Sequence, residues 1–174
     1  MRRGFANVTQ RRQRSFALVV LSGGGFSFET KCLLKATGDA FDFIYLHTEY
    51  GGTPGQDDIP GGESHRVPSF ATVTQPSILV SVTAFLTTFT KAAILLARKP
   101  IDPVIVVGCS HAVPTLLAGR LFGRRTVFVE SITRVARLSN TGKLVYRLRL
   151  ASTYLIQWPD LQKRYPASRL GTIL

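Results

Sequence analysis

Acidic side chains are scarce in this chain of 174 residues: ten Asp and Glu stand against 22 Lys and Arg, for a formal net charge of +12. Cysteine is scarcer still. The two present, Cys32 and Cys109, are far apart, lack metal-ligand spacing and read as reduced thiols of a cytosolic protein. No cluster of His, Cys and Asp has metal spacing and no nucleophile elbow is present, so neither a metal nor another cofactor is expected. No apolar run has the length of a clear membrane-spanning helix. The nearest, Ile78–Ala97, is interrupted by Lys91 and by Thr83, Thr87, Thr88 and Thr90, and reads as a mostly buried or interfacial helix. The first apolar run, Phe16–Leu21, is too short for the core of a secretory signal despite the arginines ahead of it. Internal repeats and low-complexity tracts are absent.

What is present is a globular composition, 45% hydrophobic, in a length that suits one domain with a real core. Charge is distributed unevenly. Residues 1–15 carry five arginines and no acid, residues 16–90 carry three Lys/Arg against seven Asp/Glu, and residues 91–174 carry fourteen against three. The chain therefore divides into a basic tail, 1–15, and one domain, 16–174. A basic half and a basic tail suit an anionic membrane surface, a phosphate-bearing ligand or nucleic acid. The aromatics are not interleaved with the basic residues in a stacking pattern, which argues against nucleic acid.

Strand and helix patterns alternate along the domain. Strands are expected at Phe16–Leu21, Phe41–Leu46, Val104–Val107, Arg125–Val129 and Thr153–Gln157. Helices are expected at Phe26–Thr37, with Phe28, Cys32, Leu33 and Ala36 inward, from Pro76 to Lys99, at Ala112–Phe122 and at Thr141–Leu150. Residues 47–69 read as a long Gly-, Pro- and Asp-rich loop, followed by a short extended piece at Ser69–Val73. Continuous apolar strands between helices predict a Rossmann-like parallel sheet with helices on both faces.

Four groups are positioned to carry chemistry, because open parallel sheets place ligand groups in the loops after their strands. Ser22-Gly23-Gly24-Gly25 joins the first strand to a helix, and such a turn lets a diphosphate approach backbone N–H groups. A purely structural turn is the alternative. Gly108-Cys109-Ser110-His111 precedes a helix carrying Pro114 in its first turn. His111 is a candidate proton acceptor, or else a cap. Glu130-Ser131 follows an apolar strand, with Arg134 and Arg137 spaced to share a helical face and fork onto a phosphate or carboxylate. Glu130 is a candidate base, or one half of an internal ion pair. Gln157-Trp158-Pro159 closes the last strand and suits a platform for a partner, or local packing. His47, Glu49, Asp57 and Asp58 lie on or near the long loop, and nothing in their spacing demands a role.

The stretch VFVESITRVARLSNTGKLVYRLRLASTYLIQWPDLQKRYPAS resembles the acceptor-side subunit of two-chain UDP-N-acetylglucosamine transferases of dolichol-linked oligosaccharide synthesis. It is similar also to bacterial exopolysaccharide and capsule glycosyltransferase subunits. The pattern is an apolar strand, V-E-S-x-x-R-V, L-S-x-x-G-K, then Q-W-P-x-L-x-x-x-Y-P, and a weaker likeness extends over residues 16–174. The resemblance implies one half, the N-terminal-type domain, of a GT-B glycosyltransferase whose nucleotide-binding domain is a separate chain. It implies an inverting, UDP-sugar-dependent transfer to a lipid-diphosphate-linked saccharide, at the cytoplasmic face of a membrane on which this chain sits peripherally. Acceptor or phosphate contacts are then expected from Gly23, Gly24, Gly25, Ser27, Glu29, Ser131, Arg134 and Arg137, catalytic roles from Glu130 and His111, and the partner interface from Gln157, Trp158 and Pro159. Ser27 and Glu29 match the family's first loop, but Phe26 stands where that loop usually has histidine. Gly108, Val113 and Pro114 match its second. Eukaryotic members carry a membrane-spanning helix ahead of the first strand. None is read here, and the basic tail is the expected substitute. The donor sugar is open between glucuronate, galactose and N-acetylglucosamine. A basic nucleic-acid-binding module and a non-catalytic membrane scaffold are the rival readings.

Overall fold

Seven strands form one parallel sheet in the order β3-β2-β1-β4-β5-β6-β7. The computed structural model describes residues 15–56, 58–72 and 76–173. Asp57, Val73 and nearly all of the basic tail lie outside the described residues. The elements are β1 (Ser15–Leu21), α1 (Gly25–Thr37), β2 (Phe41–His47), β3 (Gly62–Arg66), α2 (Ile78–Arg98), β4 (Ile101–Val107), α3 (Ala112–Leu121), β5 (Thr126–Val129), α4 (Asn140–Arg147), β6 (Thr153–Ile156), α5 (Pro159–Arg164) and β7 (Arg169–Leu170).

The central strands are apolar on both faces because both faces are covered. Leu18, Val19, Val20 and Leu21 of β1 are all at most 1% exposed, and burial of each such side chain is worth about 1.5–3 kcal/mol. Coverage is unequal. Helices α2, α3, α4 and α5 contribute Ala92, Leu95, Leu116, Val145 and Leu161 to one core layer, with Leu18, Val104, Phe128 and Ile156 from the sheet. The other layer is smaller, and is closed by Leu34 of α1 and by Ile59 against Ala17, Val19, Phe43 and Tyr45.

Several elements depart from the sequence pattern. Gly62–Arg66 is a strand inside the expected long loop, in register with Phe43–His47 of β2. Its sequence GESHR has no apolar residue because it is a solvent-facing edge, where charged side chains deter further pairing. Residues 69–72, by contrast, form no strand. The chain after β6 also adds α5 and β7, which the sequence pattern does not signal. On α1 the inward residues are Glu29, Thr30 and Leu34. Phe28 is 60% exposed and Ala36 is exposed, so the expected inward set of Phe28, Cys32, Leu33 and Ala36 is displaced by about one position.

Chain direction fixes where a ligand can sit. From β1 the chain moves outward to β2 and β3, then returns through α2 to β4 on the other side of β1. The crevice between the carboxyl ends of β1 and β4 is therefore the topological switch point, the usual ligand position of open α/β sheets.

Candidate functional site

Two of the expected loops meet at the switch point. Gly24 has φ +70° and forms the N-cap of α1, with no side-chain cap hydrogen bond. Gly24 and Gly25 are exposed, and nothing lies within 4 Å of where a Cβ would stand on either. Across the crevice, Gly108 has φ +62°, and an added Cβ there would collide with the Phe26 ring. Phe26, in place of the family's usual histidine, thus packs on the turn after β4 and supplies no proton-transfer group. Ser27 is half-buried, and its N–H bonds to the Gly24 carbonyl at 3.0 Å.

Glu29 and Ser131 are brought together across 102 residues. The Ser131 hydroxyl donates to Glu29 Oε1 at 2.6 Å and the Ile132 N–H donates to Oε2 at 3.2 Å. Both residues are nearly buried, at 3% exposure. Glu29 thereby ties α1 to the loop after β5, and its carboxylate is engaged with the protein.

Glu130 is fully buried. Its Oε2 accepts from the Ser139 N–H at 3.1 Å, the Ser139 hydroxyl at 3.2 Å and the Tyr154 hydroxyl at 3.2 Å. Its Oε1 accepts the Ser131 N–H at 3.2 Å. Burial pushes the carboxyl above its ordinary value, and the bonds from Ser139, Ser131 and Tyr154 pull it back. Ser139 in turn caps α4, accepting the Gly142 N–H at 2.8 Å. Gly142 is required here, since a Cβ would lie 2.7 Å from Tyr154 Oη, 2.9 Å from Ser139 Oγ and against the Glu130 carboxylate itself. A base must reach the proton it removes. In this structure the Glu130 carboxylate has no accessible surface and four internal donors, and it braces the loop around it. Neither Arg134 nor Arg137 is its partner.

What Glu130 organises is the segment 131–138. That segment is not a helix, so Arg134 and Arg137 do not share a helical face as their spacing predicts. It is fixed by side chains instead. Trp158 Nε1 donates to the Ile132 carbonyl at 2.6 Å, Arg164 to the Ala136 carbonyl at 2.9 Å and Gln157 to the Glu130 carbonyl at 3.0 Å. Held this way, it presents Arg134, Val135 and Arg137 to solvent, and neither arginine has an acidic partner among the described residues. Trp158 is 36% exposed and Pro159 opens α5, so a surface remains beside this anchor.

His111 lies elsewhere, at the start of α3. It is 4% exposed, its Nε2 is 3.0 Å from the Pro68 carbonyl, and its ring meets Phe70 edge-on at 4.8 Å. Burial lowers its pKa, and the Pro68 carbonyl acts in the opposite sense. A carbonyl partner requires Nε2–H, so His111 fastens the segment after β3 to α3. That segment borders two cavities of about 800 Å³ each, one lined by Glu49, Tyr50, Arg66 and Lys91, the other by Pro76, Ile78, Val82 and Leu86. Glu49 pairs with Arg66 at 2.9 Å, and its pKa is lowered by hydrogen bonds from Tyr50 and Arg66. His47 is half-buried beside the Thr48 carbonyl, and Asp58 is exposed. Among the described residues no group of His, Cys, Asp or Glu is arranged to hold a metal ion.

The family described as "Oligosaccharide biosynthesis protein Alg14 like" matches residues 58–174. This chain belongs to the Alg14 family. Similar proteins include the Mus musculus UDP-N-acetylglucosamine transferase subunit ALG14, 32% identical over 124 residues, covering 67% of this chain and 56% of that protein. The Rattus norvegicus subunit is 35% identical over 117 residues, covering 63% and 53%. One from Cryptococcus neoformans is 28% identical over 169 residues, covering 82% and 73%. The chain thus spans little more than half the length of the mouse and rat relatives. Among solved structures, Acinetobacter baumannii MurG superposes with a TM-score of 0.62 at 17% identity, over 84% of this chain and 42% of MurG. UDP-N-acetylglucosamine 2-epimerase from Rickettsia bellii gives 0.62 at 11%, over 88% and 42%. This member of the Alg14 family therefore has the fold of one lobe of a two-domain GT-B protein.

Sequence reasoning missed Tyr154, Ser139, Gly142 and Arg164 as parts of this site. Ser139 and Gly142 did leave a signal: both lie in the L-S-x-x-G-K pattern, and serine at a helix start is a favoured N-cap.

Proposed function

We propose that this chain is the acceptor-side half of a UDP-sugar-dependent glycosyltransferase, and that a second chain supplies the nucleotide-sugar-binding lobe. The acceptor is a lipid-diphosphate-linked saccharide, and the donor is UDP-N-acetylglucosamine, the sugar named in the related subunits. The reaction inverts the anomeric centre and takes place at the cytoplasmic face of a membrane, in oligosaccharide or exopolysaccharide synthesis. The observation that carries this reading is the braced 131–138 segment, which holds Arg134 and Arg137 with no acidic partner among the described residues.

Each residue then has a defined task. The Gly23–Gly25 turn offers backbone N–H groups, and Arg134 and Arg137 offer guanidinium forks, to the acceptor diphosphate. Glu29, Ser131 and Glu130 keep that surface rigid, so that its orientation is set before the acceptor arrives. His111 holds the wall of the neighbouring cavities. Gln157, Trp158 and Pro159 form the edge against which the nucleotide-binding lobe closes.

The test is reconstitution with a nucleotide-binding chain encoded beside this one, measuring sugar transfer from UDP-N-acetylglucosamine to a lipid-diphosphate saccharide. Transfer is expected from the pair and not from this chain alone. Loss of one charge-assisted contact costs about 1.5–3 kcal/mol, or roughly ten- to hundredfold. Arg134→Ala should therefore raise KM for the acceptor by that factor and leave KM for the UDP-sugar unchanged. Turnover by the isolated chain, or an Arg134→Ala/Arg137→Ala variant with wild-type kinetics, refutes the reading.

A further inference from the structure

We infer that the outer face of the α2–α3–α4 layer is a lipid-facing surface that seats the protein on an anionic monolayer. This deepens the proposed function by assigning which surface meets the membrane, and it rests on that reading for its biological purpose. The physical case is independent of it.

Helix α2 has two apolar faces. One, Ala84, Thr88, Ala92, Leu95 and Leu96, is buried against the core. The other should be polar in a helix that meets only water. Instead it carries Ile78 at 85% exposure, Leu79 at 75%, Val82 at 47% and Leu86 at 55%. These recur at helical spacing and form one stripe, continuous with the apolar cavity lined by Pro76, Ile78, Val82 and Leu86. By length and composition α2 is the one described helix apolar enough to cross a membrane. Its inner stripe is locked into the core, however, so the helix lies along an interface and does not span.

Charge supplies the second observation. Helices α2, α3 and α4 contain no acidic residue at all. Arg98, Arg120, Lys143 and Arg147 are exposed on them, and none has an acidic partner among the described residues. Further apolar side chains stand among these cations: Leu121 at 67%, Leu144 at 44% and Leu148 at 57% exposure. On α4 the exposed sequence Lys143-Leu144 and Arg147-Leu148 repeats a cation and an apolar side chain one turn apart. The exposed acids lie on other elements, including Glu49 and Glu63 at the β3 edge and Asp160 on α5, and these three are paired with cations. An apolar stripe set in an acid-free basic field matches an anionic lipid surface, where apolar side chains enter the headgroup boundary and cations meet lipid phosphates. A protein partner would have to bring its own acidic and apolar complement to the same face.

The experiment is sedimentation of the full chain with vesicles of phosphatidylcholine alone and of phosphatidylcholine with 30% phosphatidylglycerol. Binding is expected to the anionic vesicles and to weaken with salt. Leu79→Glu/Leu86→Glu, at exposed positions, should lower the bound fraction about tenfold and leave thermal unfolding unchanged. A chain lacking residues 1–14 should keep most of its binding. Wild-type binding by the double variant, or complete loss of binding on removal of residues 1–14, overturns the assignment. Transfer to a short, water-soluble acceptor by the reconstituted pair is read in parallel. If the variant transfers normally to that acceptor but binds vesicles like wild type, the surface assignment fails and the enzymatic reading stands.

Discussion

Replacing Glu130 by alanine strips the acceptor from the Ser131 N–H, the Ser139 N–H, the Ser139 hydroxyl and the Tyr154 hydroxyl together. Ser131 and Tyr154 are 3% and 5% exposed, so their donors find no water, at about 1–3 kcal/mol each. Ser139 is half-exposed and rehydrates, so each of its two donors loses less than ~1 kcal/mol. Removing a buried carboxyl whose ionised form is disfavoured offsets part of the loss. The net expectation is about 3–5 kcal/mol. For a chain of this length that lowers Tm by roughly 10 °C. Glu130→Gln keeps one oxygen for Ser139 and Tyr154 and turns an amide against the Ser131 N–H, at about 1–2 kcal/mol. The pH dependence has a defined sign. Because the folded carboxyl titrates above its ordinary value of 4.5, the unfolded chain ionises first. Its contribution to stability therefore falls as pH rises above 4.5 and levels once the folded carboxyl has also ionised. The gap between wild type and Glu130→Gln should narrow over that range in urea titrations. In the reconstituted enzyme Glu130→Gln should keep turnover within about tenfold, whereas loss of a base costs roughly 10²–10⁴. A folded Glu130→Gln protein with turnover down more than a hundredfold, or Glu130→Ala with wild-type stability, refutes the organising role.

Three further outcomes follow from the same geometry. Gly142→Ala should destabilise by at least about 2 kcal/mol in denaturant melts, although alanine in a helix gains about 1 kcal/mol over glycine, because its Cβ meets the Glu130 carboxylate and Tyr154 Oη. His111 stays neutral when buried, so wild-type stability should fall as pH drops below about 6.5, where the unfolded histidine takes up a proton first, and His111→Gln should flatten that part of the profile. Trp158→Phe removes the 2.6 Å bond to the Ile132 carbonyl, and limited trypsin digestion should cut after Arg134 and Arg137 several-fold faster, with no change expected elsewhere in the chain.

The sheet was legible because its strands are short, apolar and β-branched, a pattern that burial on both faces imposes. Val104–Val107 and Thr126–Val129 could hardly be anything else. Strand β3 was illegible for the complementary reason: GESHR lies on an edge, faces solvent and owes its strand conformation to the backbone ladder with β2. The inward face of α1 was misassigned because its buried side includes Glu29 and Thr30, polar residues satisfied by partners distant in sequence or one turn away. A hydrophobic pattern cannot show a carboxylate that is buried because a serine 102 residues later meets it.

The motif V-E-S-x-x-R-V does not separate the roles of its residues. A linear motif gives equal weight to residues that hold a loop and residues that the loop displays. Glu130 and Ser131 are at most 3% exposed, while Arg134 and Arg137 are exposed. The buried pair bears strict demands of size and hydrogen bonding, and so reads as catalytic in a one-dimensional pattern. The exposed pair, held in position by Glu29, Trp158 and Arg164, is what a ligand can touch. The same division explains Phe26: a ring packed over Gly108 stabilises the switch point but brings no proton to it. In this structure Glu130 and His111 are bonded within the protein, and residue 26 carries no titratable group. On the proposed function, a second lobe closes on Trp158 and Pro159. If so, Trp158→Ala should lower transfer by the reconstituted pair in proportion to lost association, measured by titrating one chain with the other. Saturating partner and acceptor together should restore most of the rate. A rate that stays low at saturation of both refutes the interface role.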